Sequence, residues 1–302
     1  MRDELIRYGT IWPARHVLST PLAGLRKGVA EFAKIQVVRY RNEARMMDDL
    51  MNGTIDIAST SEIQSAVPEA GLMYLPYLYG DIGHFRRTWT LDASPVATKT
   101  QRLIKKRTGL VPLGYSIVGS RDCIFTGGPV TTFNQLRDMR FRVDDAELSS
   151  AMIDAFGAIP KVVNFFKVDT ALALGRVDAA ENALFNMIAL RWLASARFVT
   201  CTEHRYLTNF ELASPRFWAR LTRSRRSQLH AAFGAYLASF ADTSRTARKD
   251  SLALLTRSKG LSVSRISSTE RAKFRRAASP VVDDFASTYR LAKEVDWIRT
   301  SG

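Results

Sequence analysis

The sequence predicts an α/β fold, because strand-like and helix-like segments alternate along most of the chain. Strand-like segments such as TIDIAST at 54–60 carry apolar residues at alternate positions, which is typical of half-buried strands. Helix-like segments carry apolar residues three and four positions apart, as at Leu22, Leu25 and Val29, and the last third of the chain is mostly helical in pattern. Together these patterns predict sheets that are flanked by helices.

The first half opens with a βαβαβ order, which predicts a parallel-rich sheet. In the first helix, Pro21 is favourable in the first turn and Ser19 or Thr20 can be the capping residue. The second helix is predicted to end at Gly53. In chain order the segments are strand IRYGTIW, helix TPLAGLRKGVAEFA, strand KIQVVRY, helix ARMMDDLMNG and strand TIDIAST.

The second half repeats the alternation and predicts a second α/β lobe. Gly127, Gly128 and Pro129 mark a turn within it. The predicted elements are strands GLVPLGYSIVGS and RDCIFTG, short helix TTFNQLRD, strand RFRVD, helix AELSSAMIDAFG from Ala146 to Gly157, strand KVVNF, and later strands around FVTCTEH and LTNFELAS.

Composition indicates a globular protein, since 46% of the 302 residues are apolar and 24% are charged. The longest apolar runs, such as 71–80, are far shorter than the roughly 18 to 20 residues that a membrane-spanning helix needs. The first ten residues, MRDELIRYGT, contain two acids and no apolar core of a signal peptide. The protein is therefore expected to be cytoplasmic, or to have lost a leader.

Few residue patterns point to a cofactor, a metal or a catalytic centre. Cys123 and Cys201 neither establish nor exclude a disulfide, because their separation in space does not follow from their spacing. The four histidines are scattered, and no paired CxxC, GxGxxG or GxxxxGK[ST] motif occurs. No nucleophile with a base stands in a familiar arrangement, so we expect no metal, no cofactor and no enzymatic activity.

The formal net charge of +15 raises nucleic acid as a candidate partner. The excess lies mainly in residues 205–302, which hold 19 basic and 8 acidic side chains. These charges are interleaved with apolar residues at helical spacing, as expected of solvated helix faces, and no nucleic-acid-reading motif accompanies them. Nucleic-acid binding therefore stays an alternative, as does an enzyme of unrecognised class.

The stretch MRFRV at 139–143 places an arginine inside a predicted strand. Arg140 and Arg142 share one face of this strand. Arg142 either lies on a solvated face, as most arginines do, or awaits an anionic ligand.

Six motifs follow one another between about residues 5 and 220, and the helical remainder agrees with them in character. They are DDLMNGTIDIA, PEAGLMYLPYLYG, Gly119-Ser120-Arg121, PVTTFNQLRDMRFRV, IDAFGAIP and TALALGRVDAAEN. In this order they resemble the solute-binding proteins of tripartite ATP-independent periplasmic (TRAP) transporters, the DctP-like family.

The resemblance implies a two-lobe periplasmic binding protein fold, with a mixed sheet flanked by helices in each lobe. Lobe I is expected to comprise 1–118 plus 207–246, and lobe II 119–206 plus 247–302, with the ligand cleft between them. A long helix near 223–240 is expected to bridge both lobes, and the hinges are expected near 117–121 and 205–208.

The resemblance also implies an extracytoplasmic receptor rather than an enzyme. Such a receptor captures an organic acid by hinge closure and delivers it to a TRAP membrane permease. We therefore expect a periplasmic protein whose leader has been removed, that works as a monomer and binds no nucleic acid.

Five residues are the ligand-binding candidates. By the resemblance, Arg142 grips the carboxylate, and Arg121 and Asn182 donate to the same anion. Asp178 and Glu181 are expected to brace the turn and strand, because a carboxylate that faced an anionic ligand would repel it. A planar guanidinium offers two parallel N–H donors to a carboxylate, which a lysine cannot do. The alternatives are that Arg121 pairs with Asp122 or another acid, and that Asn182 caps the following helix.

Glu62 and Phe210 complete the candidate set. Glu62 is expected to contact a hydroxyl or amine of the solute, or else to face water. Tyr115, Phe185 and Phe210 line the cleft by position unless they belong to the core, as residues at such spacing more often do, and only Phe210 is kept as a candidate. Small dicarboxylates, 2-oxo acids, aromatic acids and sugar acids all remain possible solutes.

Overall fold

The computed structural model describes residues 4–91, 94–144 and 147–302. The chain forms two compact units. Unit 1 comprises Met1–Gly71, Gly83–Val118 and Thr208–Arg245, and unit 2 comprises Leu72–Ile82, Gly119–Leu207 and Thr246–Gly302. Each unit contains a mixed β-sheet with helices, so the predicted α/β fold class is confirmed.

The strands of the described residues are short, and most of them are buried. In chain order they are β1 (Glu4–Thr10), β2 (Ala33–Arg39), β3 (Ile57–Thr60), β4 (Val111–Ser120), β5 (Asp122–Phe125), β6 (Arg140–Val143), β7 (Ile159–Val162), β8 (Ala179–Asn182), β9 (Phe198–Cys201), β10 (Tyr206–Ala213) and β11 (Ser262–Arg265).

The helices of the described residues range from one turn to the 35 residues of the longest. In chain order they are α1 (Leu22–Val29), α2 (Glu43–Met51), α3 (Ile63–Ala66), α4 (Ile82–Thr88), α5 (Pro95–Thr108), α6 (Glu147–Ala155), α7 (Val168–Ala173), α8 (Leu184–Ala189), α9 (Pro215–Arg220), α10 (Arg223–Arg257), α11 (Ser268–Thr288) and α12 (Ala292–Thr300).

The sheet of unit 1 has the strand order β2-β1-β3-β10-β4. Strand β1 pairs with β2 and β3 in parallel, as the βαβαβ opening predicts, and β10 enters antiparallel to β3. Gly114 in β4 lets this sheet approach α10, since a Cβ at its φ of +145° would lie 2.1 Å from a methyl of Leu237.

The sheet of unit 2 has the order β11-β9-β5-β8-β6-β7. Strands β6 and β8 are parallel, whereas β5 is antiparallel to both of its neighbours, β8 and β9. Because side chains alternate across a strand, the sheet has two apolar faces. Phe141 and Val143 face one core with α6 and α11, and Ile124 and Val199 face the other, with α7 and α8.

Several predicted elements are shorter than the sequence pattern indicates. Helix α1 ends at Val29 because Ala33 already pairs with Glu4 in the sheet, and neither Ser19 nor Thr20 caps it: Pro21 stands at the N-cap. The segment TTFNQLRD forms only a 3₁₀ turn, Phe133–Leu136. The predicted start of α6 at Ala146 lies outside the described residues.

The predicted long helix is present as α10, and it is longer than the expected 223–240. The chain passes from one unit to the other at residues 71/72, 82/83, 118/119, 207/208 and 245/246, and the last three passages lie within β4, β10 and α10. Within the described residues, no helix combines the length and apolarity needed to cross a membrane.

Candidate functional site

One edge of the unit 2 sheet collects polar side chains from four strands. Strands β6 and β8 are parallel, so their carboxyl ends meet at this edge, and Arg142 and Asn182 lie there. Strand β5 runs the other way, and its first residue Asp122 pairs with Asn182, which brings the preceding Arg121 to the same edge. Strand β9 is antiparallel to β5, so Arg205, shortly after β9, arrives there too.

Glu181 lies between two buried arginines. The Nε of Arg121 donates to Glu181 Oε2, and Arg121 Nη2 donates to the Glu181 carbonyl at 3.3 Å. The Nη2 of Arg205 donates to Glu181 Oε1 at 2.6 Å, while its Nη1 donates to Ser149 Oγ at 3.0 Å. Both carboxylate oxygens of Glu181 are thereby engaged by cations, which fixes the two guanidinium groups in place.

The charge states of this cluster follow from burial and pairing. Burial alone would raise the pKa of Glu181, but Arg121 and Arg205 hold it well below its usual range. His204 lies with its Nε2 3.3 Å from Glu181 Oε2, yet burial lowers its pKa, so it is neutral near pH 7. The Nδ1 of His204 shares a hydrogen bond of 2.8 Å with Thr202 Oγ1, which holds the ring.

Arg142 differs from the other two arginines of this edge, because no carboxylate among the described residues contacts it directly. Its side chain points away from Phe141 and Val143, with the guanidinium carbon 6.0 Å from the centre of the Trp192 ring. Nε donates to the Val163 carbonyl at 2.9 Å, and the two terminal amino groups donate to no described residue. Burial lowers the pKa of Arg142 to about 10. The residue is 3% exposed, so the alternative that it lies on a solvated face is wrong.

The described charges of this edge do not balance. Arg121, Arg142 and Arg205 carry three positive charges, whereas Glu181 and Asp144 carry two negative ones, with His204 neutral. The other two acids of this edge, Asp122 and Glu203, pair with Arg248 and Arg271 and so do not offset the surplus. Asp144 Oδ2 is 3.9 Å from Arg205 Nη2, and arginines lower the pKa of this carboxyl although burial opposes them. A buried cluster with surplus positive charge is suited to hold an anion.

Asn182 presents its amide in a defined orientation. Its Oδ1 accepts hydrogen bonds of 2.8 Å from the Ala183 backbone N–H and from Asn186 Nδ2. Asn182 ends β8 and the N-cap position of α8 is Ala183, so the alternative that Asn182 caps this helix is wrong. With Oδ1 occupied, the Nδ2 group of Asn182 is the donor that it can offer to a ligand.

The other two candidates, Glu62 and Phe210, belong to unit 1. Glu62 is half-buried at the start of α3, where its backbone N–H donates to Thr60 Oγ1 at 3.0 Å. Phe210 is fully buried in β10, and its ring meets Tyr115 edge to face at 5.4 Å between ring centres. Phe210 therefore packs within unit 1, as its alternative interpretation expects.

Sequence reasoning missed Arg205, which shares Glu181 with Arg121. The segment around 205–208 was interpreted as a hinge, and its residues were not considered as ligands of the charge cluster. The positions of the two arginines relative to strands were a usable signal: Arg205 follows β9, and Arg121 precedes β5, which is antiparallel to β9. Both arginines therefore lie at the same edge of the sheet, where Arg205 reaches Glu181. Asp178, in contrast, pairs with Arg140 at 2.5 Å and braces the turn as expected.

Cys123 and Cys201 are both buried free thiols. They do not form the disulfide that the sequence left open. In the described part of the chain, no group of three or more His, Cys, Asp or Glu side chains is arranged to hold a metal ion.

The chain matches known proteins over most of its length. Residues 36–288 match the family DctP, described as bacterial extracellular solute-binding protein, family 7. The 2,3-diketo-L-gulonate-binding periplasmic protein YiaO of Escherichia coli is 26% identical over 193 residues, which cover 61% of this chain and 58% of that protein. The chain thus matches less than two thirds of the length of this relative.

Two further proteins agree with this match. The C4-dicarboxylate-binding periplasmic protein DctP of Shewanella loihica is 26% identical over 259 residues, covering 84% of this chain and 74% of that protein. A TRAP periplasmic solute-binding protein from Sulfurospirillum deleyianum, solved with bound succinate, superimposes with a TM-score of 0.89 at 22% identity, covering all of both chains. The structural likeness supports the two-lobe fold, and the family match supports a binding protein rather than an enzyme. The chain belongs to family 7 of the bacterial extracellular solute-binding proteins, the DctP family of TRAP solute receptors.

Proposed function

We propose that the protein is an extracytoplasmic receptor that binds an organic acid through the carboxylate and delivers it to a TRAP membrane permease. The observation that carries this proposal is Arg142: a guanidinium that is 3% exposed, lies among surplus positive charge and has two terminal amino groups without a described acceptor. A carboxylate would supply the missing acceptors and the missing negative charge.

The chemistry of the contact favours arginine over lysine. The terminal amino groups of a guanidinium form a planar fork that matches the two oxygens of a carboxylate. Val163 holds Nε of Arg142 and so fixes the plane of that fork before the solute arrives. A preorganised donor pair in a partly dry environment binds an anion more strongly than a flexible pair in water, because less entropy is lost and screening is weaker.

Arg121 and Asn182 are proposed as the additional donors. Glu181 engages Arg121 through Nε and Nη2, which leaves Nη1 without a described acceptor. Asn182 offers Nδ2 because its Oδ1 is already occupied. In this arrangement Glu181 positions a cation for the solute and does not touch the solute itself, where its charge would repel the ligand.

The relatives support a carboxylate as the solute. YiaO is named for 2,3-diketo-L-gulonate, the Shewanella DctP for C4-dicarboxylates, and the Sulfurospirillum structure contains succinate. We also propose a periplasmic location, a monomeric state, no nucleic-acid ligand, closure of two lobes on the solute, and a contact from Glu62, whereas Phe210 is assigned to the core of unit 1.

A thermal-shift screen tests this function. Purified protein is heated with a panel of small dicarboxylates, 2-oxo acids, aromatic acids and sugar acids at two salt concentrations, with duplex DNA as a control. A ligand that binds only the native state raises the melting temperature by mass action. We expect one class of acid to act at both salt concentrations in the wild type and to have no effect on Arg142→Ala. A shift produced by DNA and lost in high salt, with no acid active, contradicts the proposal.

A further inference from the structure

A second buried acid, Glu211, lies in unit 1 and has no role in the proposed carboxylate contact. It stands in β10 and is 0% exposed. Its Oε2 accepts a hydrogen bond of 2.8 Å from the hydroxyl of Tyr8 in β1. The Tyr8 hydroxyl in turn lies 3.1 Å from that of Tyr236 in α10. Two tyrosine hydroxyls thus form a hydrogen-bonded chain that links this carboxyl to strand β1 and helix α10.

The remaining neighbours of Glu211 are neutral. Ser59 of β3 and Ser116 of β4 are near enough to influence the carboxyl, and Asn209 Nδ2 donates to Ser59 Oγ at 3.3 Å. The ionisable groups that face Glu211 are therefore the two tyrosines alone, among the residues that the structure describes. Glu211 Oε1 is buried and has no hydrogen-bond partner among them.

Other buried acids of unit 1 have an arginine partner. Asp56 pairs with Arg7 at 3.0 Å and with Arg220 at 3.1 Å. Asp49 accepts a tyrosine hydrogen bond from Tyr40, as Glu211 does from Tyr8, but it also pairs with Arg45 at 3.2 Å. The chain has 44 lysines and arginines, and none of the described ones pairs with Glu211.

We propose that Glu211 is a proton-binding site, whose carboxyl carries a proton in the folded protein at mildly acidic pH and releases it around neutral pH. A neutral carboxylic acid can occupy a dry site with one hydrogen bond, whereas a carboxylate in such a site lacks both solvation and a counter-charge. The site lies on two strands through which the chain passes between the units: the chain leaves unit 1 within β4, after Ser116, and returns to unit 1 within β10, before Glu211. Proton release would place an uncompensated charge beside both strands.

The sign of the linkage follows from the protonation states. Burial raises the pKa of Glu211 to about 7, against the opposing influence of Ser116, Ser59 and Tyr8. An unfolded glutamate has a pKa of about 4.3. Between these values the folded state holds a proton that the unfolded state has released, so stability falls as pH rises. The equilibrium constant for unfolding should rise by up to about tenfold per pH unit in this window and level off above it.

The test compares the wild type with Glu211→Gln by urea unfolding from pH 5 to pH 8.5. Glutamine has the shape of the protonated acid and keeps an acceptor for Tyr8, so we expect the variant to lack the fall in stability and to be more stable than the wild type at pH 8. Because the neutral His204 of unit 2 acts in the opposite direction, the difference between the two curves is the quantity measured. Parallel curves would overturn the proposal.

Asp49→Asn is the matched control, because Asp49 is a buried acid with a tyrosine donor and an arginine partner. The Asp49→Asn variant should keep the fall in stability between pH 5 and pH 8.5 that the Glu211→Gln variant lacks. A second measurement does not depend on how the variants fold. Infrared difference spectra of the folded wild type across pH 5 to 8.5 should contain the carbonyl band of a carboxylic acid that disappears as pH rises through about 7. A spectrum without such a band, with only carboxylate signals at pH 5.5, contradicts proton binding.

Discussion

Arg142 and Val163 are joined by one hydrogen bond, from Nε to the backbone carbonyl at 2.9 Å. This bond holds the guanidinium by its inner nitrogen and leaves the outer pair of amino groups for another acceptor. The residue is nearly as buried as Phe141 beside it, yet no described carboxylate contacts it. Such an arrangement lowers stability in the absence of ligand, which is typical of a binding residue rather than a structural one.

Replacing Arg142 by Met should therefore stabilise the ligand-free protein while abolishing solute binding. The thioether chain fills part of the same volume without an unneutralised charge, and we expect a gain of about 0.5–2 kcal/mol in the free energy of unfolding. Urea unfolding measures the gain, and calorimetric titration with the acid found in the screen measures the loss of binding. A marked loss of stability in this variant would mean that Arg142 holds unit 2 together.

Asn182→Asp should weaken solute binding with little effect on folding. The aspartate keeps an oxygen in the place of Oδ1, where it accepts from Ala183 and Asn186, but it replaces the Nδ2 donor by a charged acceptor. That acceptor would face the carboxylate of the solute and repel it. The dissociation constant should rise at least about tenfold, equivalent to about 1.4 kcal/mol. Unchanged affinity would remove Asn182 from the site.

Glu181→Gln should destabilise the protein strongly. The substitution leaves Arg121 and Arg205 buried without their shared counter-charge, and loss of one partner of a buried ion pair costs about 3–5 kcal/mol. A loss below 1 kcal/mol would contradict the bridging role of Glu181.

The same carboxylate should contribute to the acid sensitivity of the wild type. Its pKa is depressed in the folded state, so its contribution is present above the unfolded pKa of about 4.3 and is lost as pH falls below it. Urea midpoints measured between pH 3 and pH 7 should fall less steeply on the acid side in Glu181→Gln than in the wild type.

Both cysteines should be unreactive in the folded protein. Cys123 is 5% exposed and Cys201 is 1% exposed, and burial raises both pKa values, that of Cys201 to about 11. Thiolate is the reactive species, so a thiol reagent at pH 7.5 should label neither residue before unfolding and both in denaturant. Rapid labelling of one cysteine in the native protein would show that its side of the unit 2 sheet opens readily.

The sequence predicts the order of strands and helices well, because alternation and helical spacing report which residues are buried. It does not predict the start of α8: Asn182 was a candidate cap of the following helix, whereas Asn182 ends the buried strand AAEN and α8 starts only at Leu184. The end of α1 was also misplaced, because pairing of Ala33 in the sheet overrides the local helical preference.

The partners of the charged residues follow from sheet order rather than from spacing. Arg121 and Glu181 are sixty residues apart in sequence, and they meet because β5 and β8 are antiparallel neighbours. The proposed role of Arg142 came from a motif, whereas its lack of a counter-charge became visible only in the structure. Arg205 was missed for the same reason, since its acid lies on another strand.

The most direct test of the central claim is a crystal structure of the protein with the acid that gives the largest thermal shift. We expect both oxygens of the carboxylate to lie within about 3.2 Å of the two terminal amino groups of Arg142, with the Nε bond to Val163 retained. A carboxylate bound elsewhere, with the guanidinium of Arg142 still lacking an acceptor, would contradict the account.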